Sequence, residues 1–251
     1  MQTVMQPDIT DFYNSHEGAV CAALIRERLQ WFWPDLRRQS VLGVGFAQPY
    51  LSAWRGRGAL CVSAILPSQI MPMQETAAPD GFSIFSRDDR CCVVDAQHLP
   101  FCEETFDRVL VVHALENAEQ AVTLLRAASR VLRDDGRILL IVPNKIGGRV
   151  RQKNTPFARD AQFTRNGLKA VLARAMLHME RRDEACFLPV LRGCSTLERG
   201  RASDIAGKVF CPGLGSLMLV EAVKDVHAAL PLPVTAKRSW FRKSVVATQE
   251  F

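Results

Sequence analysis

Short apolar runs at residues 40–44, 59–65, 91–94, 108–112 and 137–142 alternate along the chain with longer stretches in which apolar residues recur at helical spacing. Runs of this length, rich in Val, Leu and Ile, suit strands buried on both faces, whereas an apolar residue every three or four positions lines one side of a helix. The first helix is expected over residues 17–33, packed beside the sheet, with Val20, Ala23, Leu24, Leu29 and Trp31 as its apolar residues and Pro34 marking its end. After the first strand, Gly45-Phe46-Ala47-Gln48 reads as a loop and Pro49 as the first residue of a helix. A further helix is expected from about 117 to 133, with Ala121, Leu124, Leu125, Ala128 and Leu132 on one side and Asp134-Asp135-Gly136 as its stop. Thr164 is placed to cap another, reaching about Glu180, and residues 185–190 and 217–223 read as a closing strand pair.

Strands alternating with amphipathic helices imply parallel β-α-β units, hence an α/β fold with helices on both faces of a mostly parallel sheet. The expected organisation is an N-terminal helical segment (1–36), one domain (37–224) and a basic, weakly ordered tail (225–251). Within the domain, residues 191–215 carry five glycines and form an insertion that interrupts the closing pair, read as a surface excursion or a lid. The tail holds Pro231, Pro233 and the cluster from Lys237 to Lys243.

Composition changes this picture little. At 251 residues and 48% apolar content the chain can bury one substantial core. Its 32 basic and 26 acidic residues leave a charge of +6, compatible with an anionic partner and ordinary for a protein with a basic tail. Eight cysteines include no C-x-x-C pair and read as reduced, mostly buried thiols. No long apolar run and no basic leader appear, so a cytoplasmic location is expected. His16, His98, His113, His178 and His227 show no metal-ligand spacing, and neither a P-loop nor a Gly-x-Ser-x-Gly elbow is present.

The stretches that carry chemistry are the loops after the strands. Val41-Leu42-Gly43-Val44-Gly45-Phe46-Ala47-Gln48-Pro49 opens the series. Asp95-Ala96-Gln97-His98-Leu99-Pro100-Phe101 follows the third strand, and His113-Ala114-Leu115-Glu116-Asn117 the fourth. Together with the segment from Leu125 to Asn144, these resemble class I S-adenosylmethionine-dependent methyltransferases, over about residues 38–145. The resemblance is specifically to a divergent branch of the type 11 methyltransferase family with a degenerate glycine-rich motif. It implies a Rossmann-like sheet with a final antiparallel strand and S-adenosylmethionine as cofactor. It also implies cofactor contacts from Gly43, Gly45, Phe46, Ala47, Ser63, Asp95, Ala96 and His113. Asp95 would accept from the adenine amino group and Ala96 would offer its N–H to the ring. His113 would lie under the sulfonium end, orienting a substrate or serving as a base, while catalytic residues beyond it stay unassigned. Read without the resemblance, Asp95 is equally a cap for a short helix and His113 a structural residue at a strand end.

Two departures stand out. Of the glycine trio in the first motif, Gly45 alone remains, with Gly43 at the acid position, Ala47 at the second glycine and Pro49 at the third. After the second strand, where the family places a carboxylate for the ribose hydroxyls, this chain offers Ser63, Ala64, Ile65, Leu66 and Pro67. No acidic residue occurs from Leu36 to Gln74, which leaves Ser63, Ser68 or Gln69 as neutral substitutes.

Two functions from different classes follow. The first is methyl transfer to a small or acidic molecule; Lys145, Arg149, Arg151, Lys153, Arg159 and Arg165, on the side where such a fold admits substrate, read as a solvated basic face or as a site for an acidic substrate. The second is a methyltransferase-like binding or scaffold protein without catalysis, which the altered motifs favour. A nucleic-acid partner is not expected, because aromatic residues that could stack bases are sparse in the basic segments. The C-terminal tail is open to a protein partner.

Overall fold

The structure is a computed structural model that describes residues 9–67, 90–147, 157, 160–187 and 196–225. In chain order the elements are α1 (Ile9–Asn14), α2 (His16–Phe32), β1 (Ser40–Gly45), α3 (Gln48–Arg55), β2 (Leu60–Ile65), β3 (Cys91–Val93) and β4 (Phe106–Val112). They continue with α4 (Ala118–Val131), β5 (Leu132–Pro143), α5 (Arg165–Arg174), β6 (Leu177–Ala185), α6 (Leu197–Phe210) and β7 (Leu217–Lys224). The strands form one sheet in the order β3-β2-β1-β4-β5-β7-β6. β1 pairs in parallel with β2 and β4, and β7 runs antiparallel to both β5 and β6. This is the mostly parallel α/β sheet with an antiparallel closing strand that the sequence implied.

Successive residues of a strand point to opposite faces, and both faces here are apolar. Val109 and Val111 of β4 and Ile138 and Leu140 of β5 therefore join one core, with Leu124, Leu125 and Ala128 of α4 and Leu168 and Leu172 of α5. Leu110, Val112, Leu139 and Ile141 join the other, with Cys21, Ile25 and Leu29 of α2 and Tyr50, Leu51 and Trp54 of α3. The Asn117 side chain caps α4 by accepting from the Gln120 N–H at 2.8 Å.

Several expectations are corrected. On α2 the sheet-facing stripe is Cys21, Ile25, Leu29 and Phe32, whereas Val20 and Leu24 turn to Leu197 of α6 and Trp31 is exposed with the Arg181 guanidinium over its ring. α4 ends at Val131 because Leu132 is already extended (φ −79°, ψ 141°), so Asp134-Asp135-Gly136 lies within β5 and does not terminate the helix. Pro49 is the second residue of α3, after Gln48. Thr164 does cap α5, but that helix stops at Arg174, and Met176 turns the chain with φ of 58° into β6. The closing pair is thus β6 and β7. The alternation in Leu177-His178-Met179-Glu180-Arg181 is strand-like, and the charged residues on the outer side of an edge strand obscured it. The 191–215 insertion contains α6, bound to α2 through Arg28 and Asp204 at 2.7 Å. Of the seven cysteines described, Cys21, Cys61 and Cys186 are buried while Cys91, Cys102 and Cys211 are exposed, so the thiols are not mostly buried. No helix among the described residues is long and apolar enough to cross a membrane.

Candidate functional site

From β1 the chain steps outward to β2, and from β4 it steps the other way to β5. The strand order therefore reverses between β1 and β4, and an open α/β sheet takes its ligands in the crevice at the carboxyl ends of such a pair. Gly45 ends β1 there with φ of 81°, and a Cβ at this position would stand 2.2 Å from the Val112 carbonyl oxygen and 2.9 Å from the Ala114 side chain. The turn and the close approach of β4 both require glycine. Next to it the Phe46 N–H donates to the Val112 carbonyl at 2.9 Å, tying the loop to the end of β4. Gly43 serves the packing instead, since a Cβ there would meet Ala47 and Leu51 at 2.7 Å and its bareness lets α3 settle on β1.

His113 follows β4 directly, with φ of 51°, a left-handed backbone that costs a residue bearing a side chain about 1 kcal/mol or more. Its ring is held at both nitrogens. Nδ1 lies 2.7 Å from Asp160 Oδ2, and Nε2 lies 2.9 Å from the Tyr13 hydroxyl. Tyr50 in turn donates its hydroxyl to that of Tyr13 at 2.9 Å. A carboxylate only accepts, so Nδ1 carries the proton toward Asp160 and Nε2 accepts from Tyr13. Burial is the main reason that both phenols are held well above their ordinary value, so both stay protonated. The chain of donors thus runs from Tyr50 through Tyr13 and His113 to Asp160, with every member buried.

Aromatic rings wall this network. Tyr13 stacks on Phe46 at 5.2 Å, Phe157 lies 4.3 Å from the imidazole, and Phe12 meets both Tyr13 and Phe157 edge-on. The Asp160 segment is fixed to the loop after β4 by the Ala161 N–H, which donates to the Leu115 carbonyl at 2.7 Å. Beside the tyrosines, the Cys21 and Cys186 sulfurs approach to 3.2 Å, a contact that together with burial pushes the Cys186 thiol well up.

The other side of β1 is built differently. Ser63 of β2 sits between Gly43 and Cys91 in the sheet register, 1% exposed, and its Oγ has no hydrogen-bond partner among the described residues. Ile65 ends β2, half-buried, and no residue from Ser63 to Pro67 is acidic. Asp95 is exposed; the Gln97 N–H first, and His98 after it, hold its carboxyl below the ordinary range. The segment is a turn bridged from Asp95 to His98, not a helix. Leu99 is buried and Phe101 packs on Phe106, which fastens this loop to the core as expected. Ser68, Gln69, Arg149, Arg151, Lys153, Arg159, His227 and the 226–251 part of the tail lie outside the described residues.

The structure therefore brings Gly45, Phe46 and His113 together, leaves Gly43 and Ala47 beneath them in the packing of α3, and sets Ser63, Asp95 and Ala96 on the β2–β3 side. Sequence reasoning missed Tyr13, Tyr50 and Asp160. One signal was available: the chain has two tyrosines, and both stand in this network. A cleft of about 560 Å³ opens elsewhere, lined by Arg126, Arg130, Asp134, Met176 and Lys224 at the opposite end of the strands. Its Lys224 is paired with Asp134 and its Arg126 with the Arg174 carbonyl, so the β1–β4 crevice is the better candidate.

Residues 42–140 match a family model described as a methyltransferase domain. A search of curated protein sequences finds no match. Among solved structures, the chain is similar to a methyltransferase from Haloferax volcanii in complex with the Trm112 methyltransferase activator. That match has 15% identity, a TM-score of 0.55, and covers 86% of this chain and 97% of the other. It is similar to a protein from Listeria monocytogenes described as an S-adenosylmethionine-dependent methyltransferase, at 13% identity and TM-score 0.55, covering 82% and 99% of the two chains. A third, an S-adenosylmethionine-dependent methyltransferase from Aquifex aeolicus, has 14% identity and TM-score 0.54, covering 87% and 100%. Residues 42–140 accordingly resemble a methyltransferase domain, and the chain has the Rossmann-like fold of class I methyltransferases.

Proposed function

We propose that this protein is an S-adenosylmethionine-dependent methyltransferase acting on a small or acidic molecule. The observation that carries the reading is the crevice itself: the family match spans β1 to β5, and the left-handed turn at Gly45 brings the loop after β1 against the end of β4, where the strand order reverses. The residues present fit the cofactor. Gly45 and Phe46 would flank its carboxypropyl chain, the unpartnered Ser63 hydroxyl would meet a ribose hydroxyl, Asp95 and Ala96 would address the adenine, and His113 would face the sulfonium end. When bound, the cofactor supplies an electrophilic methyl group. The protein's share is to align the acceptor in a dry site, a requirement that needs little covalent help.

A second reading has its own observations. No residue from Ser63 to Pro67 supplies a carboxylate to clamp a ribose, and Phe46, Ala47 and Gln48 are all buried in the free protein. A fold kept for binding a partner protein would tolerate both, and the Haloferax volcanii methyltransferase is one that assembles with an activator. Calorimetric titration with S-adenosylhomocysteine separates the two. Saturable heat is expected, and Asp95→Ala should weaken it by about 1.5–3 kcal/mol. Neither heat nor a thermal shift at millimolar ligand would overturn the enzyme reading.

A further inference from the structure

Resting on the methyltransferase reading, the geometry points to one acceptor chemistry: an aromatic hydroxyl, whose proton is taken by His113 at Nε2 while Asp160 orients and charge-balances the ring. Three observations converge on it. The imidazole sits at the strand-order reversal, on a strained backbone that the fold has not relaxed. Its Nδ1 is committed to a buried carboxylate at 2.7 Å, which leaves Nε2 as the basic atom. And Nε2 already holds a phenol, because the Tyr13 hydroxyl lies 2.9 Å away with its ring stacked on Phe46.

Tyr13 thus shows what the seat accepts: a planar ring against Phe46, and a hydroxyl donating to Nε2. It comes from α1, a helix of six residues joined to α2 by the Ser15 turn, so the seat is vacated by moving one short element and no part of the sheet. An acceptor hydroxyl in that place loses its proton to Nε2. Its O–H bond breaks with the electron pair left on oxygen, a new N–H bond forms from the imidazole lone pair, and the imidazolium is matched by the Asp160 carboxylate. The oxygen pair then forms the bond to the methyl carbon, whose former bonding pair goes to the cofactor sulfur. The ring later returns its proton to solvent. In a site closed by Phe12, Phe46 and Phe157, such a fixed ion pair is worth far more than in water.

The test uses the full chain and a radiolabelled methyl donor, with phenol and catechol as protonated acceptors and 4-nitrophenol, ionised in mildly alkaline buffer, as one that needs no base. His113→Asn and Asp160→Asn should lower transfer to phenol and catechol by about 100-fold or more. Transfer to 4-nitrophenol should barely change in either variant. Tyr13→Phe, which removes the hydroxyl that an acceptor must displace from Nε2, should lower KM for the phenols. Asp160→Asn should still bind S-adenosylhomocysteine by calorimetry, and 15N spectra of the ligand-free protein should show His113 protonated at Nδ1 and accepting at Nε2. Equal losses on ionised and protonated acceptors would make the pair structural and overturn the proposal. So would a proton on Nε2 in the free protein, or a protein that binds S-adenosylhomocysteine yet methylates no phenol. Failure to bind S-adenosylhomocysteine at all would instead strike the methyltransferase reading beneath it.

Discussion

The β1–β4 crevice and the β2–β3 edge flank the same strand, yet their polar groups are kept on opposite terms. In the crevice, two phenols, an imidazole and a carboxylate are buried and bonded in one directed chain. At the edge, the buried Ser63 hydroxyl has no partner among the described residues, Ile65 ends β2 with an apolar side chain, and Asp95 lies in solvent. Buried polar groups are normally satisfied, so a complete chain is a self-sufficient feature of the free protein, whereas an orphan marks a place that a ligand could complete. The difference teaches that this chain has invested its specificity at the end of β4 and relaxed it at the end of β2.

The largest expected effect lies in the crevice. Gly45→Val would force a β-branched residue into a left-handed backbone and push its Cβ to 2.2 Å from a carbonyl oxygen. Strain and overpacking together should cost about 3–5 kcal/mol in denaturant unfolding and remove S-adenosylhomocysteine binding. A variant that melts like the wild type and still binds would show that the first loop is not the cradle. Next comes Tyr13→Phe. It leaves His113 Nε2 without its donor and Tyr50 without its acceptor, at about 1–3 kcal/mol of stability. No loss on unfolding would mean that the chain of hydrogen bonds is not the structural asset the comparison makes it.

How much of this was legible follows the same division. The short apolar runs announced the parallel strands because both faces of those strands are buried, and local composition suffices to show that. It failed at β6, an edge strand whose outer face carries charge, and at the end of α4, where Leu132 passes straight from helix to strand without a breaker. In the site, Gly45 and His113 could be read because each belongs to a loop with a local pattern. Tyr13, Tyr50 and Asp160 could not, since Tyr13 and Asp160 meet His113 from 100 and 47 residues away and Tyr50 reaches it through Tyr13. Pairing over such separations is a property of the folded chain alone.

A smaller effect, of opposite sign, is expected at the edge. Ile65→Asp restores a carboxylate at the end of β2, where a charged acceptor can take both hydroxyls of a ribose. Affinity for S-adenosylhomocysteine should rise about tenfold, or ~1.4 kcal/mol. The free protein should lose about 1–2 kcal/mol for bringing a charge to a half-buried position. If affinity does not rise, the ribose does not lie at the end of β2, and the edge is not the relaxed half of the site.

The smallest effect is the sharpest test of what the orphan means. Ser63→Ala removes a hydroxyl that is 1% exposed and unbonded, so in the free protein it removes a desolvation cost and no interaction. Unfolding should show a gain of about 0.5–1 kcal/mol. If Ser63 completes its bonding with a ribose hydroxyl, the same change should weaken S-adenosylhomocysteine by about 1 kcal/mol, so that stability and affinity move in opposite directions. A gain in stability with unchanged affinity would make Ser63 a tolerated defect of the sheet. A loss in both would mean that the hydroxyl supports the packing of β2 against its neighbours, and that the contrast between crevice and edge is narrower than the hydrogen bonds suggest.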